Sequence, residues 1–155
     1  MTLASVPFDH PDAMALRAAQ QAYGDALYAS DPSAEHRSGS EALDPASVLL
    51  TVVAYDDGRP VGHACLRRLD GEMAGELEIK RMYVEPDVRG RGIADELLAA
   101  MERRARDEGA SRVVIHTGDR QAAALRFYAR HGYTPIDVYP PYEAVTYSLC
   151  FEKAL

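Results

Sequence analysis

Two hydrophobic periods meet in this chain of 155 residues, and their junction at residues 84–94 limits what it can fold into. Before the junction, residues 48–55 (Val-Leu-Leu-Thr-Val-Val-Ala-Tyr) are apolar and β-branched, as a buried strand requires. Asp56-Asp57-Gly58 turns the chain, residues 60–69 return as the second arm of a hairpin, residues 71–75 turn again, and residues 76–84 make a third strand. After the junction the period becomes helical. Ile93, Leu97, Leu98, Met101 and Ala105 form one apolar stripe that stops near Gly109. Residues 112–117 read as a short strand and residues 120–131 as a second amphipathic helix closed by Gly132. Residues 133–139 and 145–152 are the last two strands, separated by Pro140-Pro141-Tyr142.

Upstream, residues 12–28 read as a helix, with Ala13, Leu16, Ala19 or Gln20, Tyr23 and Leu27 near helical spacing, Asp9 or Asp12 as its cap and Pro11 near its start. Residues 29–45 are polar and predict a loop with a short helical piece. No repeat or low-complexity tract interrupts the chain. The element order predicts an α/β (α+β) domain over residues 1–155, with a mixed sheet flanked by helices rather than a βαβ array.

Composition narrows the function classes. The formal net charge is −7, which argues against nucleic acid as a partner and makes an acidic, soluble exterior the plain expectation, or a preference for cationic partners. No apolar run is long enough to span a bilayer, and the N-terminus has neither a basic start nor an apolar stretch, so a cytoplasmic location is expected. Cys65 and Cys150, outside any C-x-x-C pattern, fit free thiols. The five histidines have no ligand spacing, and no metal is expected. Abundant Arg and Ala suggest a G+C-rich bacterial source.

The junction itself is the most informative stretch. In Val84-Glu85-Pro86-Asp87-Val88-Arg89-Gly90-Arg91-Gly92-Ile93-Ala94, Gly90 and Gly92 let backbone N–H groups approach an anion closely. The first helical turn offers unsatisfied donors and a partial positive charge, and Arg89 and Arg91 add full charges. This is either a diphosphate cradle or a flexible strand-to-helix connection. It is not a P-loop, since no Gly-Lys pair exists, nor a dinucleotide fingerprint, since Asp95 stands where the third glycine belongs.

What remains, R-x-x-G-x-A at Arg89, Gly92 and Ala94 after V-x-P, resembles the pyrophosphate-gripping signature of the GNAT superfamily of acetyl-CoA-dependent N-acetyltransferases. A second block, Ala124-Leu125-Arg126-Phe127-Tyr128-Ala129-Arg130-His131-Gly132-Tyr133, is similar to the family's A-[IL]-x-[LF]-Y-x-x-x-G-[FY] motif. The resemblance covers roughly residue 48 to the C-terminus and implies the GNAT fold, acetyl-CoA as co-substrate and a primary amine of a small molecule or peptide as acceptor. It places Arg89, Gly90, Arg91, Gly92, Ile93 and Ala94 at the phosphates, the main chains of Met82 and Val84 at the pantetheine amides, and an oxyanion-binding N–H near residues 82–84 beside a strand bulge. Gln121, where the family commonly has Asn, is a further CoA contact.

Catalytically, the resemblance assigns Tyr128 as general acid to the departing thiolate, against its reading as a core aromatic that orients the pantetheine arm. Glu78, six residues before Val84, falls where some members keep a catalytic base. Glu76, on the same strand face, is the reserve; ordered water alone, or plain pairing of these carboxylates with Arg67, Arg68, Lys80 or Arg81, is the alternative. Asp95 is expected to face outward. Neither cysteine nor Ser5 has a visible base, so direct transfer in a ternary complex is expected. The acceptor pocket is implied at residues 12–45 and 139–143, where Tyr139 and Tyr142 either wall an apolar pocket or merely make a rigid turn with the prolines, and Glu143 meets a cationic amine. A non-catalytic acyl-CoA-binding or sensing domain is the competing function, and a homodimer is left open.

Overall fold

The fold is described from a computed structural model, which covers residues 1–30 and 43–155. Seven strands form one sheet among the described residues: β1 (Thr2–Ser5), β2 (Val48–Asp56), β3 (Arg59–Arg68), β4 (Leu77–Val84), β5 (Arg112–Gly118), β6 (Thr134–Ile136) and β7 (Ser148–Ala154). Three helices flank it: α1 (Pro11–Leu27), α2 (Ile93–Asp107) and α3 (Ala122–Arg130). The spatial order β1-β2-β3-β4-β5-β7-β6 is antiparallel throughout except for β4 and β5, which run parallel. This is the mixed α/β sheet the element order predicts.

Strand alternation sorts the core into two layers. Val52, Ala54, Val61, Ala64, Val113 and Ile115 share a cluster with the stripe of α2, whose Ile93, Leu97, Leu98, Met101 and Ala105 are all buried. On the opposite face Val53 and Tyr83 meet Ala13 and Leu16 of α1. The rest of that face, around Val114 and Cys150, is covered by Tyr139 and Tyr142 from the β6–β7 connection. Contact between α2 and β3 is close at Gly62, where a Cβ would lie 3.0 Å from Ile93 Cγ2 and 3.1 Å from Leu97 Cδ1.

Three expectations change. β1 is an additional edge strand; with four residues it has too short a pattern to read. The cap of α1 is His10, whose Nδ1 accepts from the Asp12 amide at 3.2 Å, rather than Asp9 or Asp12. β6 is only three residues long and β7 begins at Ser148, because the chain between them leaves the sheet to cover its face. Most of the loop expected at residues 29–45 lies outside the described residues.

Candidate active site

Parallel pairing of β4 with β5 lasts for three residues: Leu77 with Val113, Glu78 with Val114 and Ile79 with Ile115. Beyond Ile79 the strands part and leave a fork. On its other side β4 loses register with β3 between His63 and Cys65, and Arg81 takes a left-handed φ of 57°, uncommon for a residue with a Cβ. This is the bulge expected near residues 82–84, placed slightly earlier. His63 holds it, its Nδ1 2.9 Å from the Arg81 carbonyl, while its Nε2 lies 3.1 Å from Arg17 Nη1. A carbonyl and a guanidinium on either side require the Nδ1–H tautomer. Burial, with Arg17 and Arg81 nearby, lowers the His63 pKa to about 4, so the ring stays neutral. From α1, Gln20 Nε2 donates to the Met82 carbonyl at 3.1 Å.

The fork opens into a cleft of about 860 Å³, near the upper end of the range for small-molecule sites. At one end Gly90 (φ 78°) and Gly92 (φ 82°) curl the chain into the start of α2. Gly92 caps this helix without any side-chain hydrogen bond, so the first-turn amides point unsatisfied toward the cleft mouth. No atom lies within 4 Å of a Cβ built on either glycine, as a phosphate cradle requires. The donor set suits a diphosphate.

The two arginines behave differently. Arg89 lines the cleft, donating Nε to the Val84 carbonyl at 2.9 Å and Nη1 to the Tyr23 hydroxyl at 3.1 Å, so it also locks the loop to β4 and α1. Arg91 turns away from the cleft to Asp56, 2.9 Å away, which corrects the expectation that its charge reinforces the cradle. Its side chain has a carboxylate to neutralise it at the hairpin end. Ile93 contributes its amide only, its side chain being core; Ala94 and Gln121 line the cleft. Asp95 gives its carboxylate to Arg130 at 3.0 Å and His131 at 2.9 Å, tying α2 to α3.

At the far end, Tyr128 is buried apart from its edge on the cleft, and its hydroxyl has no hydrogen-bond partner among the described residues. Burial raises its pKa, so it holds a proton to give. Glu78 does not reach this cleft. It is 0% exposed, its Oε1 2.7 Å from Arg67 Nε and 3.2 Å from the Tyr142 hydroxyl, and its Oε2 2.6 Å from the Tyr139 hydroxyl. Both oxygens are occupied by donors, so this carboxylate is built as the anion of a buried pair and not as a proton acceptor for a ligand. Glu76 lies outside too, bound by Arg112 at 3.0 and 3.1 Å. Tyr142 lines the cleft, Tyr139 serves Glu78 behind it, and Glu143 is exposed away from it. One lining residue carried no sequence signal: His116, stacked on Tyr142 at 3.7 Å and 2°. As one of five unpatterned histidines, it gains meaning only from its place just past the fork.

Uncapped helix amides, a parted pair of parallel strands and a protonated phenol thus lie along one cleft. The model of the Acetyltransferase (GNAT) family matches residues 14–133, and the chain belongs to that family. It is 36% identical to the IAA acetyltransferase of Azospirillum brasilense over 104 residues, 67% of either protein. It is 37% identical over 90 residues to an uncharacterised N-acetyltransferase of Mycobacterium tuberculosis, spanning only about half (54%) of that relative. A crystal structure from Klebsiella pneumoniae assigned as an acyl-CoA N-acyltransferase superposes with a TM-score of 0.79 at 30% identity, covering 99% of this chain and 97% of the other. The PaiA N-acetyltransferase of Thermoplasma acidophilum, solved with coenzyme A, shares the fold (TM-score 0.71, 18% identity, full coverage of both chains). Among the described residues no cluster of three potential metal ligands occurs, and no helix is long and apolar enough to cross a membrane.

Proposed function

We propose that the protein transfers an acetyl group from acetyl-CoA to a primary amine of a small molecule or peptide, by direct attack in a ternary complex. The observation that carries this reading is the unpartnered Tyr128 hydroxyl opening on the same cleft as the uncapped amides of α2. The amides of residues 92–94 and the Arg89 guanidinium take the diphosphate, and the main chain of Met82 and Val84 flanks the arm. Both carbonyls already accept a side-chain bond, from Gln20 and from Arg89, which holds that strand edge rigid. A main-chain N–H at the bulge is the donor available to a developing oxyanion, and Tyr128 protonates the thiolate as it leaves. Cys65 and Cys150 are buried with thiol pKa values pushed up by burial, which disfavours a covalent acetyl-cysteine. Glu78 acts through Arg67 and Tyr142 as a positioning residue beneath the cleft floor.

Thiol release from acetyl-CoA, measured across peptides with free α-amines, polyamines, arylamines and aminoalkylphosphonates, tests the reaction. The last class is included because an aminoalkylphosphonate N-acetyltransferase of Salmonella typhimurium is 41% identical over 56 residues, 36% of either chain. Tyr128→Phe is expected to lower kcat by on the order of 100-fold with acetyl-CoA affinity unchanged. Gly92→Glu is expected to abolish acetyl-CoA binding in calorimetry while the fold survives, since a Cβ there meets no protein atom within 4 Å and the left-handed φ of 82° costs about 1–2 kcal/mol. Tight acetyl-CoA binding without turnover of any amine, and no effect of Tyr128→Phe, is the result that leaves a non-catalytic acyl-CoA-binding domain.

A further inference from the structure

The fork fixes where the reactive end of a bound thioester arrives. From the cradle, β4 runs back from Val84 to Lys80, roughly 13 Å of strand, before the gap between β4 and β5 closes at Ile79 and Ile115. Lys80 and His116 are the first residues past that closure, one on each strand, and both line the cleft.

The hydrogen bonds of His116 determine its tautomer. Ser148 Oγ lies 3.1 Å from the Tyr142 carbonyl and 2.9 Å from His116 Nε2. A serine hydroxyl has one proton, and the carbonyl can only accept, so that proton goes to Tyr142. The Ser148 oxygen therefore accepts from His116, and Nε2 carries the hydrogen. Nδ1 is left with its lone pair. Among the described residues nothing hydrogen-bonds Nδ1, and the one buried side-chain polar atom without a partner is Gln20 Oε1, so Nδ1 opens on the cleft. The ring cannot swing away from this position, because it is stacked flat on Tyr142, whose hydroxyl is in turn gripped by Arg67 at 3.0 Å. Burial and the positive charges of Lys80 and Arg67 hold the imidazole neutral, with a pKa lowered to about 3.

We propose that His116 Nδ1 receives the N–H of the acceptor amine at the fork and so aims the nitrogen lone pair at the thioester carbon. This role rests on the acetyltransferase reading of the same cleft. In the transfer the C–N bond forms, the C–S bond breaks, and the nitrogen, held by its remaining N–H on Nδ1, releases one proton to the solvent of the cleft. The thiolate takes a proton from Tyr128, and the released proton restores the phenol through the same solvent. The net change is the amine's proton moved to the sulfur of CoA. His116 stays neutral throughout and acts by orienting the amine. The acceptor attacks as the free amine, since only an unprotonated nitrogen has a lone pair to give.

Two substitutions separate the two ring nitrogens. Glutamine can replace Nε2 toward Ser148 but offers nothing at Nδ1, whereas asparagine places its oxygen where Nδ1 was. With the best amine of the panel, His116→Gln is expected to lower kcat/KM by on the order of 100-fold, with acetyl-CoA affinity unchanged within about twofold. His116→Asn is expected to recover about tenfold of that loss. A His116→Gln enzyme with wild-type kcat/KM overturns the role, as does an equal loss in both variants that tracks acetyl-CoA affinity. Imidazole nitrogen NMR of the unaltered protein supplies a check that does not depend on either variant folding: the Nε2–H tautomer is expected, and the Nδ1–H tautomer overturns the proposal. Failure of the wild-type protein to release thiol with any amine overturns the acetyltransferase reading and this role with it, whereas turnover that ignores Nδ1 overturns this role alone.

Discussion

Glu78 shows how far a residue's place in sequence can differ from its place in space. The family resemblance offers it as a base, with pairing to an arginine as the alternative, and its side chain points to the face of β4 covered by Tyr139 and Tyr142, where Arg67 pairs with it. Period-two alternation, and not the spacing to the phosphate loop, decides which face a strand residue serves. The two roles separate experimentally. Glu78→Gln removes the carboxylate on which Arg67, Tyr139 and Tyr142 converge and so breaks the buried pair, which is expected to cost about 3–5 kcal/mol in urea unfolding. Acetyl-CoA affinity is expected to persist, and any residual loss of turnover to follow misplacement of Tyr142. A fully stable Glu78→Gln protein without turnover would instead restore Glu78 as the base. Tyr128, which the family resemblance singles out, lies on the buried face of the short helix α3 and does line the cleft.

At the scale of elements, strong periodicity translated directly. The stripe of α2 is buried residue for residue, and β2, β3 and β4 begin and end within a residue or two of their alternating stretches. What periodicity could not supply is how closely two elements approach. Gly62 permits α2 to sit against β3, so packing at this glycine positions the first-turn amides of α2, the proposed phosphate site. Gly62→Val is expected to cost about 1–3 kcal/mol by overpacking and to weaken acetyl-CoA binding in calorimetry, although residue 62 touches no ligand. Unaltered affinity in a destabilised variant would uncouple α2 placement from the cradle. The bulge in β4 is likewise invisible in its own residues. It depends on His63 one strand away and on Gln20 and Arg17 of α1.

Across the whole molecule, the acidic net charge coexists with a cleft lined by Lys80, Arg81, Arg89, Arg120 and Arg130, with Asp95 the one carboxylate among the described lining residues. Among the described residues, five cationic side chains and one carboxylate thus line the cleft, a balance that suits an anionic ligand. Its buried histidines also set an acid limit on stability. His63 has a folded pKa of about 4 against 6.5 for the free side chain, so the unfolded chain binds the proton that the folded one refuses. The contribution is complete above 6.5 and is lost as pH falls toward about 4, by which point the loss amounts to about 3 kcal/mol. His116 acts in the same direction over a window that reaches lower, to about 3. Urea midpoints are expected to drop steadily from pH 6.5 to 4, and a midpoint flat across that interval would contradict neutral burial of His63.

Sequence by itself determined the order of elements from α1 onward, the two faces of each amphipathic segment and the glycine turn that starts α2, because these depend on neighbours within a few residues along the chain. Its local motifs also singled out Tyr128 as a candidate. Tertiary structure decided the rest of the site. The fork exists because β4 and β5 are paired for three residues and then diverge, the bulge exists because His63 and α1 hold it, and Glu78 is an ion-pair anchor because Arg67, Tyr139 and Tyr142 converge on it. His116 is the clearest case. Nothing within ten residues of it along the chain distinguishes it, and its tautomer is set by Ser148, 32 residues away. A proton's location depends on atoms within hydrogen-bond reach, and only the folded chain brings those atoms together.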